Sequence, residues 1–294
     1  MDLYVLRAAS LIVIALIYML FDIFNSRNVP NIFAYAALLY GLALTVLYLN
    51  ASEIAISAVI AAIVLGLGYA VYRAGQLGAA DVIEFATISL ILPFQKTGLI
   101  YSFPQGYLPS VISLAINSGI AALIIVPLYY IPKSGKRFKH AKAVQPHFAD
   151  YFKTILILVV YLFFLLFLIA VVHSSAFGIA LLIVIAIGSG MVLLYEKRIM
   201  AYMVQYVNYR MMEPGDMIAV QMIDETKLKS LKRRIKGFGR LVTPELLKEL
   251  AKKYSGKLPV YKKGIPFAVP IFVGALALVL YGNVLFTLIP RLPI

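Results

Sequence analysis

Four acidic residues lie inside or at the edges of the apolar segments of this sequence: Asp22, Glu53, Asp81 and Glu84. An ionisable group at membrane depth is energetically costly, so each of them is a candidate functional residue. Glu53 follows a short polar turn and is interpreted as an acid at a helix start, where the helix dipole stabilises it. Asp22 ends one apolar segment and Asp81 begins another, so we expect both carboxylates at the same depth on the same side.

Two carboxylates that come from separate helices can hydrolyse a peptide. When they share a site they cannot both ionise easily, so one keeps its proton. The ionised carboxylate then deprotonates a water while the protonated carboxyl polarises the carbonyl, with neither a metal nor a covalent intermediate. The same acids also suit simpler roles, because each can cap a helix or pair with Arg27 or Arg73, and transporters also keep acids inside the membrane.

The elements that must position these acids follow from the composition. The 294 residues are 62% hydrophobic and 14% charged, whereas soluble domains are about 45–50% apolar and about 25% charged. A single soluble domain and a disordered chain are therefore excluded. Since about 20 apolar residues in a helix cross a bilayer core, we predict an all-α polytopic membrane protein with about eight transmembrane helices. The predicted spans are 3–25, 29–49, 53–73, 80–94, 108–131, 154–174, 177–196 and 266–289.

The basic residues are concentrated on alternate loops. Segments 22–30, 73–84, 132–153 and 196–264 hold 24 of the 27 Lys and Arg residues. Cytoplasmic flanks collect Lys and Arg, so we predict a multi-pass protein of the cell membrane with both termini outside and Asp22 and Asp81 towards the cytoplasm. The same charge predicts contact with anionic lipid headgroups. No RRM, OB or zinc-finger pattern supports nucleic-acid binding.

We divide the chain into a transmembrane core that carries the candidate acids (1–131), a basic loop with two further transmembrane helices (132–196), a small basic cytosolic domain (197–264) and a final transmembrane helix (265–294). The cytosolic domain is expected to be a small α/β insertion. In it, Met217–Ile223 is predicted as a short strand, and Leu231–Arg234 as part of a basic helix near the headgroups. Thr243 is a good helix N-cap before proline, with Gly256 as the stop. The chain contains no Cys and three His, and neither a metal nor another cofactor is expected.

The residues around Asp22 resemble those around the first catalytic aspartate of type IV prepilin peptidases. That family typically has an aspartate, a few residues of basic character, and then Ile/Val-Pro-Asn. Here the run is FDIFNSRNVPN over residues 21–31, which contains Asp22, Arg27, Pro30 and Asn31. Arg27 also fits an ordinary positive-inside anchor, and Pro30 fits the start of the second span.

The residues before Asp81 resemble the second motif of the same family, Gly-x-Gly-Asp, in the Gly-x-Ala-Asp form of archaeal members. Here the run is GQLGAAD, with Gly75, Gly78, Ala80 and Asp81. Gly75 and Gly78 allow close backbone approach and conformations that other residues avoid, which suits an extended substrate strand or simply a tight loop. Segments 213–216 and 264–274 are also similar to archaeal preflagellin and prepilin peptidases, whereas 132–196 matches least.

The resemblance implies a membrane aspartic endopeptidase with Asp22 and Asp81 as its catalytic dyad. Its substrates would be pilin-like or archaellin precursors, from which it would remove the short basic leader peptide at the cytoplasmic membrane face. Membrane lipids are the remaining expected partners. One departure concerns the second motif: Ile83 stands where the family often has Lys, and Glu84 follows one turn along the face of Asp81. Glu84 either faces the dyad or pairs with Arg73.

Two other classes stay open. Presenilin-like intramembrane proteases also pair two aspartates, but their Tyr-Asp and Pro-Ala-Leu motifs are not found here. A proton-coupled transporter or a pilus-assembly component would not be an enzyme. Transporters place their acids near the bilayer midplane, whereas Asp22 and Asp81 are expected at one edge.

Overall fold

The structure is a computed structural model that describes residues 3–25, 29–74, 77–94, 99, 108–137, 146–172, 175–262 and 267–285. Its α-helices are α1 (Leu3–Phe24), α2 (Asn31–Tyr48), α3 (Ala51–Arg73), α4 (Ala79–Ile91), α5 (Ser110–Arg137), α6 (Phe148–Phe167), α7 (Ala176–Met203), α8 (Glu225–Arg234), α9 (Pro244–Lys253) and α10 (Ala268–Tyr281). Two strands, β1 (Val204–Asn208) and β2 (Lys257–Tyr261), form an antiparallel pair.

Within the described residues, six helices are long and apolar enough to cross a membrane: α1, α2, α3, α5, α6 and α7. The prediction of a largely helical chain with several helices that could span a membrane is therefore confirmed, but the count of eight is wrong. The fourth and eighth predicted spans correspond to α4 and α10, which have 13 and 14 residues. Helices of this length rise only about 20 Å, less than the bilayer core.

Proline explains where α4 stops. Leu92 follows the last residue of α4 and has φ −133° and ψ 75°, outside the helical region. The ring of Pro93 disfavours helical dihedrals at the residue before it. The hydropathy of the sequence continues past this point, so the predicted span 80–94 was too long at its end.

Helix α4 lies inside the bundle. It packs against α1, α2, α3 and α5, while α10 packs against α1 and α5. The shared core includes Leu11 of α1, Ile88 of α4 and Ile271 of α10, each fully buried. Helix α6 packs on α7 at the edge and exposes most of its large apolar side chains, a surface that a bilayer would cover.

Glycines allow the helices around α4 and α10 to approach closely. A Cβ at Gly68 of α3 would overlap the side chain of Val82 of α4. A Cβ at Gly274 of α10 would overlap Ser118 of α5, including its backbone nitrogen. Small residues permit such close approach where helices pack within a membrane.

Arg7 of α1 binds the C-terminal end of α4. Its side chain is only 5% exposed and donates hydrogen bonds to the carbonyl oxygens of Ile91 at 2.5 Å and Leu90 at 3.1 Å. The hydroxyl of Thr45 also donates to the Leu90 carbonyl, at 2.8 Å. The last carbonyls of a helix lack intrahelical partners and carry partial negative charge. The buried guanidinium of Arg7 therefore supplies hydrogen-bond donors to the free carbonyl oxygens at the end of α4.

The insertion between α7 and α10 is a small α/β unit with its own core. Strands β1 and β2 pair from Val204 opposite Tyr261 to Asn208 opposite Lys257. Helices α8 and α9 pack their apolar residues on this pair. Thr243 accepts a hydrogen bond from the amide of Leu246 and caps α9, as expected.

The predicted strand at Met217–Ile223 is wrong. Met217 and Ile218 form isolated bridges, with Leu241 and Val260, and Val220–Met222 is a 3-10 turn. The partner of β2 is instead β1, which directly follows α7. An apolar run has the same pattern whether it pairs along its length or at one residue, so the sequence could not identify the partner.

The insertion lies beside the end of α3. Hydrogen bonds from its own backbone amide and from Thr243 lower the pKa of Glu245, and the charge of Arg73 at the end of α3 contributes to the lowering. Ser52 lies at the opposite end of α3, and Ser230 lies in α8 of the insertion. Ser52 and Ser230 therefore belong to opposite ends of the bundle.

Introduced cysteines test the orientation, because the chain contains none of its own. We expect a membrane-impermeant maleimide to label Ser52→Cys from outside intact cells, since Ser52 is exposed at the end of α3 that the loop charges place outside. Ser230→Cys is the matched control and should react only after the cells are opened. Labelling of both cysteines from the same side would contradict this topology.

Removal of the Arg7 guanidinium should destabilise the bundle. Arg7→Met keeps the aliphatic stem but leaves the buried carbonyls of α4 without their charged donor, at a cost of about 1.5–3 kcal/mol. Thermal unfolding of the purified protein measures the effect. Arg233→Met, in the exposed face of α8, is the control and should unfold as the wild type does. Equal stability of Arg7→Met and the wild type would show that the contact is not stabilising.

Candidate functional site

Helices α1 and α4 run antiparallel and bring the candidate acids to one end of the bundle. Asp22 lies in the last turn of α1 and Asp81 in the first turn of α4. The two carboxyls are close enough to interact electrostatically. Arg7, at the other end of α1, contacts the last residues of α4, which fixes the alignment of the two helices.

Asp22 is 9% exposed and connects α1 to α10. Its Oδ2 accepts a hydrogen bond at 3.0 Å from the backbone amide of Ala268, the first residue of α10. The first amides of a helix have no intrahelical acceptor, and the helix dipole favours a negative charge beside them. Asp22 therefore stabilises the start of a helix that lies far away in sequence.

Asp81 has the same kind of contact within its own helix. Its Oδ2 accepts a hydrogen bond at 3.0 Å from the amide of Gly78, the N-cap residue of α4. A Cβ at Gly78 would stand 3.0 Å from this oxygen. The φ of Gly78 is −73°, so its backbone does not use the conformational freedom that glycine allows. Glycine at this position leaves room for the capping carboxylate.

Glu84 faces the same cluster and is fully buried. Its charge interacts with those of Asp81 and Asp22, and neither of its oxygens has a hydrogen-bond partner among the described residues. Glu84 is therefore not paired with Arg73, which was one of the two arrangements that the sequence left open. The other arrangement, with Glu84 on the dyad side of α4, is the one observed.

The remaining motif residues support the helices. Pro30 occupies the N-cap position of α2, and Asn31 is its exposed first residue. Ala80 and Ile83 of α4 pack against the apolar core. Arg27 and Gly75 lie outside the described residues, as do 264–266 of the C-terminal resemblance. Glu53 lies in the first turn of α3, as expected.

Two hydroxyl groups near the acids were not identified from the sequence. Tyr18 of α1 and Thr87 of α4 are fully buried. The Tyr18 hydroxyl interacts electrostatically with Glu84 and Asp81 and lies beside Thr87, without the geometry of a hydrogen bond. The available signal was spacing, because Tyr18 precedes Asp22 by one turn and Thr87 follows Glu84 by one turn.

The arrangement is suited to acid–base chemistry. Within the described part of the chain, no group of three His, Cys, Asp or Glu side chains is placed to hold a metal ion. A backbone amide at a helix start holds each aspartate, Ala268 of α10 for Asp22 and Gly78 of α4 for Asp81. Compared with known proteins, the chain matches no family model, no curated protein and no solved structure. The functional argument therefore depends on the residues themselves.

The hydrogen bonds at the two helix starts predict how substitutions affect folding. Asp22→Ala and Asp81→Ala each remove the acceptor of a helix N-terminal amide, so each should lower the free energy of unfolding by about 0.5–2 kcal/mol. Asp22→Asn and Asp81→Asn keep an acceptor oxygen and should unfold close to the wild-type temperature. Thermal unfolding of the four purified variants measures both effects. Asn variants as unstable as the Ala variants would contradict capping as the structural role.

Proposed function

We propose that the chain is a membrane aspartic endopeptidase of the Gly-x-Gly-Asp type, and that Asp22 and Asp81 are its catalytic dyad. It removes the short basic leader peptide from type IV pilin-like or archaellin precursors, at the cytoplasmic face of the membrane. The proposal joins two independent arguments. One is the resemblance of the residues around both aspartates to prepilin peptidases, and the other is the position of the two carboxyls in the fold.

The observation that carries the proposal is the proximity of the carboxyls of Asp22 and Asp81. They are 59 positions apart in sequence and lie on different helices, yet their carboxyls interact electrostatically at one end of the bundle. Asp22 caps the start of α10 and Asp81 caps the start of α4, and neither cap requires the other acid nearby. Capping explains each hydrogen bond, and the packing of both helix starts against α1 brings the two carboxyls to one place, where they can share a proton.

The mechanism requires one proton shared by the pair. One carboxylate takes a proton from water, which attacks the scissile carbonyl, and the protonated carboxyl donates to the carbonyl oxygen. The amides of Gly78 and Ala268 fix one oxygen of each carboxyl, so little reorganisation is needed during the reaction. A substrate enters with its cleavage site extended, because the peptide bonds of a helix are shielded from attack.

One observation favours a second candidate, a proton-coupled transporter. Glu84 adds a third buried carboxyl one turn deeper than Asp81, and chains of acids inside a bundle mark proton pathways. A proton-coupled transporter would move a solute across the membrane and would not cleave a peptide. The peptidase is preferred because Asp22 and Asp81 lie at the ends of their helices rather than near the middle of a span.

A cleavage assay in isolated membranes tests the proposal. A tagged archaellin or pilin precursor is incubated with the wild type, Asp22→Asn and Asp81→Asn, and the loss of the leader is followed as a change in size. We expect the wild type to cleave and each variant to lose about 10²-fold or more in rate, the contribution of a positioned acid or base. Glu53→Gln, at the opposite end of the bundle, is the control and should cleave normally.

Two results would overturn the proposal. Cleavage that persists in both Asn variants would assign the activity to other residues. No cleavage by a folded wild type across a panel of leader sequences would favour the transporter.

A further inference from the structure

Three polar side chains lie together in the core, one helical turn deeper than the Asp22–Asp81 pair. They are Tyr18 of α1 and Glu84 and Thr87 of α4, and each is 0% exposed. The Tyr18 hydroxyl, the Thr87 hydroxyl and both carboxyl oxygens of Glu84 have no hydrogen-bond partner among the described residues. Buried polar side-chain atoms are paired in the large majority of cases, so four unpaired atoms in one place call for a ligand or a proton.

The alignment of α1 and α4 explains why these groups meet. Tyr18 is one turn before Asp22 on α1, and Glu84 is one turn after Asp81 on α4. Because the helices are antiparallel, the same register that brings the aspartates together also brings Tyr18 to Glu84 and Thr87. The electrostatic interaction of Tyr18 with Glu84, and its position beside Thr87, follow from this register.

Among the described residues, no cation is paired with Glu84 to balance its charge when it is ionised. The charged groups that act most strongly on it are the carboxyls of Asp81 and Asp22, which are of the same sign. Tyr18 is the remaining titratable neighbour from α1. The cation of α3 is Arg73, in its last turn, and it makes no ion pair with Glu84.

The residues of α2 and α3 that touch α4 include Gly41, Thr45 and Gly68, none of which titrates. From α5, Leu114 belongs to the same apolar core. Arg7 is engaged at the far end of α4. A buried carboxylate without a partner is so costly that such a group takes up a proton instead.

We propose that Tyr18, Glu84 and Thr87 form a buried proton-binding site, in which Glu84 is held as a neutral carboxylic acid at neutral pH. The neutral carboxyl has one O–H to donate, and a hydroxyl oxygen such as that of Tyr18 or Thr87 can accept as well as donate. Because a neutral Glu84 carries no charge, the cluster of Asp22, Asp81 and Glu84 carries at most two negative charges. This assignment does not depend on peptide hydrolysis, so it stands or falls separately from the proposed function.

Infrared spectroscopy of the full-length protein in lipid bilayers tests the proposal, because only a protonated carboxyl shows a carboxylic acid C=O stretch. The parent is the double variant Asp22→Asn/Asp81→Asn, which removes the two acids that also absorb there. The added substitution is Glu84→Gln, which has the same shape and no acid. We expect the parent to show the band at neutral pH and the triple variant to lose it. The parent makes the test harder to pass, because it lacks the negative charges of Asp22 and Asp81, which favour a neutral Glu84.

A second measurement covers a triple variant that fails to fold. Labelling glutamate carboxyls with ¹³C should shift the band of the parent to lower frequency, because the band then belongs to a glutamic acid. The other Glu residue in the described transmembrane helices of the α1–α4 bundle, Glu53, is partly exposed, and Glu53→Gln in the same parent should leave the band in place.

Three outcomes would overturn the proposal. Absence of the band from the folded parent would show that burial without a partner cation does not keep Glu84 protonated, which contradicts the basis of the proposal. A band that survives Glu84→Gln, or that does not shift with ¹³C-glutamate, would belong to another group. A band that appears only when sodium is replaced by choline would show that the site binds sodium rather than a proton.

Discussion

The burial of α4 is the constraint on which the rest of the structure depends. A helix of 13 residues is too short to reach both faces of a bilayer, so at least one of its ends lies inside the bundle, where protein groups must satisfy its backbone. One end is satisfied by Arg7 and Thr45, and the other by the carboxyl of Asp81. Positive charge at the C-terminus and negative charge at the N-terminus both complement the helix dipole. The contacts at the two ends of α4 are thus consequences of enclosing a short helix.

The same constraint concentrates acids at one end of the bundle. Helix α10 is also short, and its first amide is satisfied by Asp22. Since α10 and α4 both pack on α1, the carboxyls that serve their starts lie near each other. A cluster of this kind makes ionisation of every member unfavourable. The features that stabilise the fold therefore also bring together the two carboxyls on which the proposed function depends.

Much of this arrangement follows from the sequence. The common side of Asp22 and Asp81 could be predicted, because alternating apolar segments fix the direction of each helix. The capping of α9 by Thr243 could be predicted from local chemistry alone. The length of α4 could not be predicted, because the apolar residues continue to Leu92 while Pro93 and packing decide where the helix ends. The role of Arg7 was also hidden, since a lone arginine near a helix start is typical of a membrane-surface anchor.

Contacts between distant segments were the other limit. Nothing in the residues around Ala268 indicates that Asp22 is the acceptor for its amide. The pairing of β1 with β2 was missed for the same reason, since β1 follows α7 without a break and no turn residue separates the two. Spacing along one helix is readable from sequence, as with Asp81 and Glu84. Partners on different helices require the packing.

The most direct test is a cross-linking measurement between α1 and α4. Because the chain contains no cysteine of its own, only the introduced cysteines can react. In Asp22→Cys/Asp81→Cys, a short bifunctional thiol reagent should link the two cysteines within one chain, and mass spectrometry of the digested protein identifies the linked peptides. Asp22→Cys/Ser52→Cys, with cysteines at opposite ends of the bundle, should give no link. Linking of residue 22 to residue 52 but not to residue 81 would contradict the meeting of the two acids and with it the proposed site.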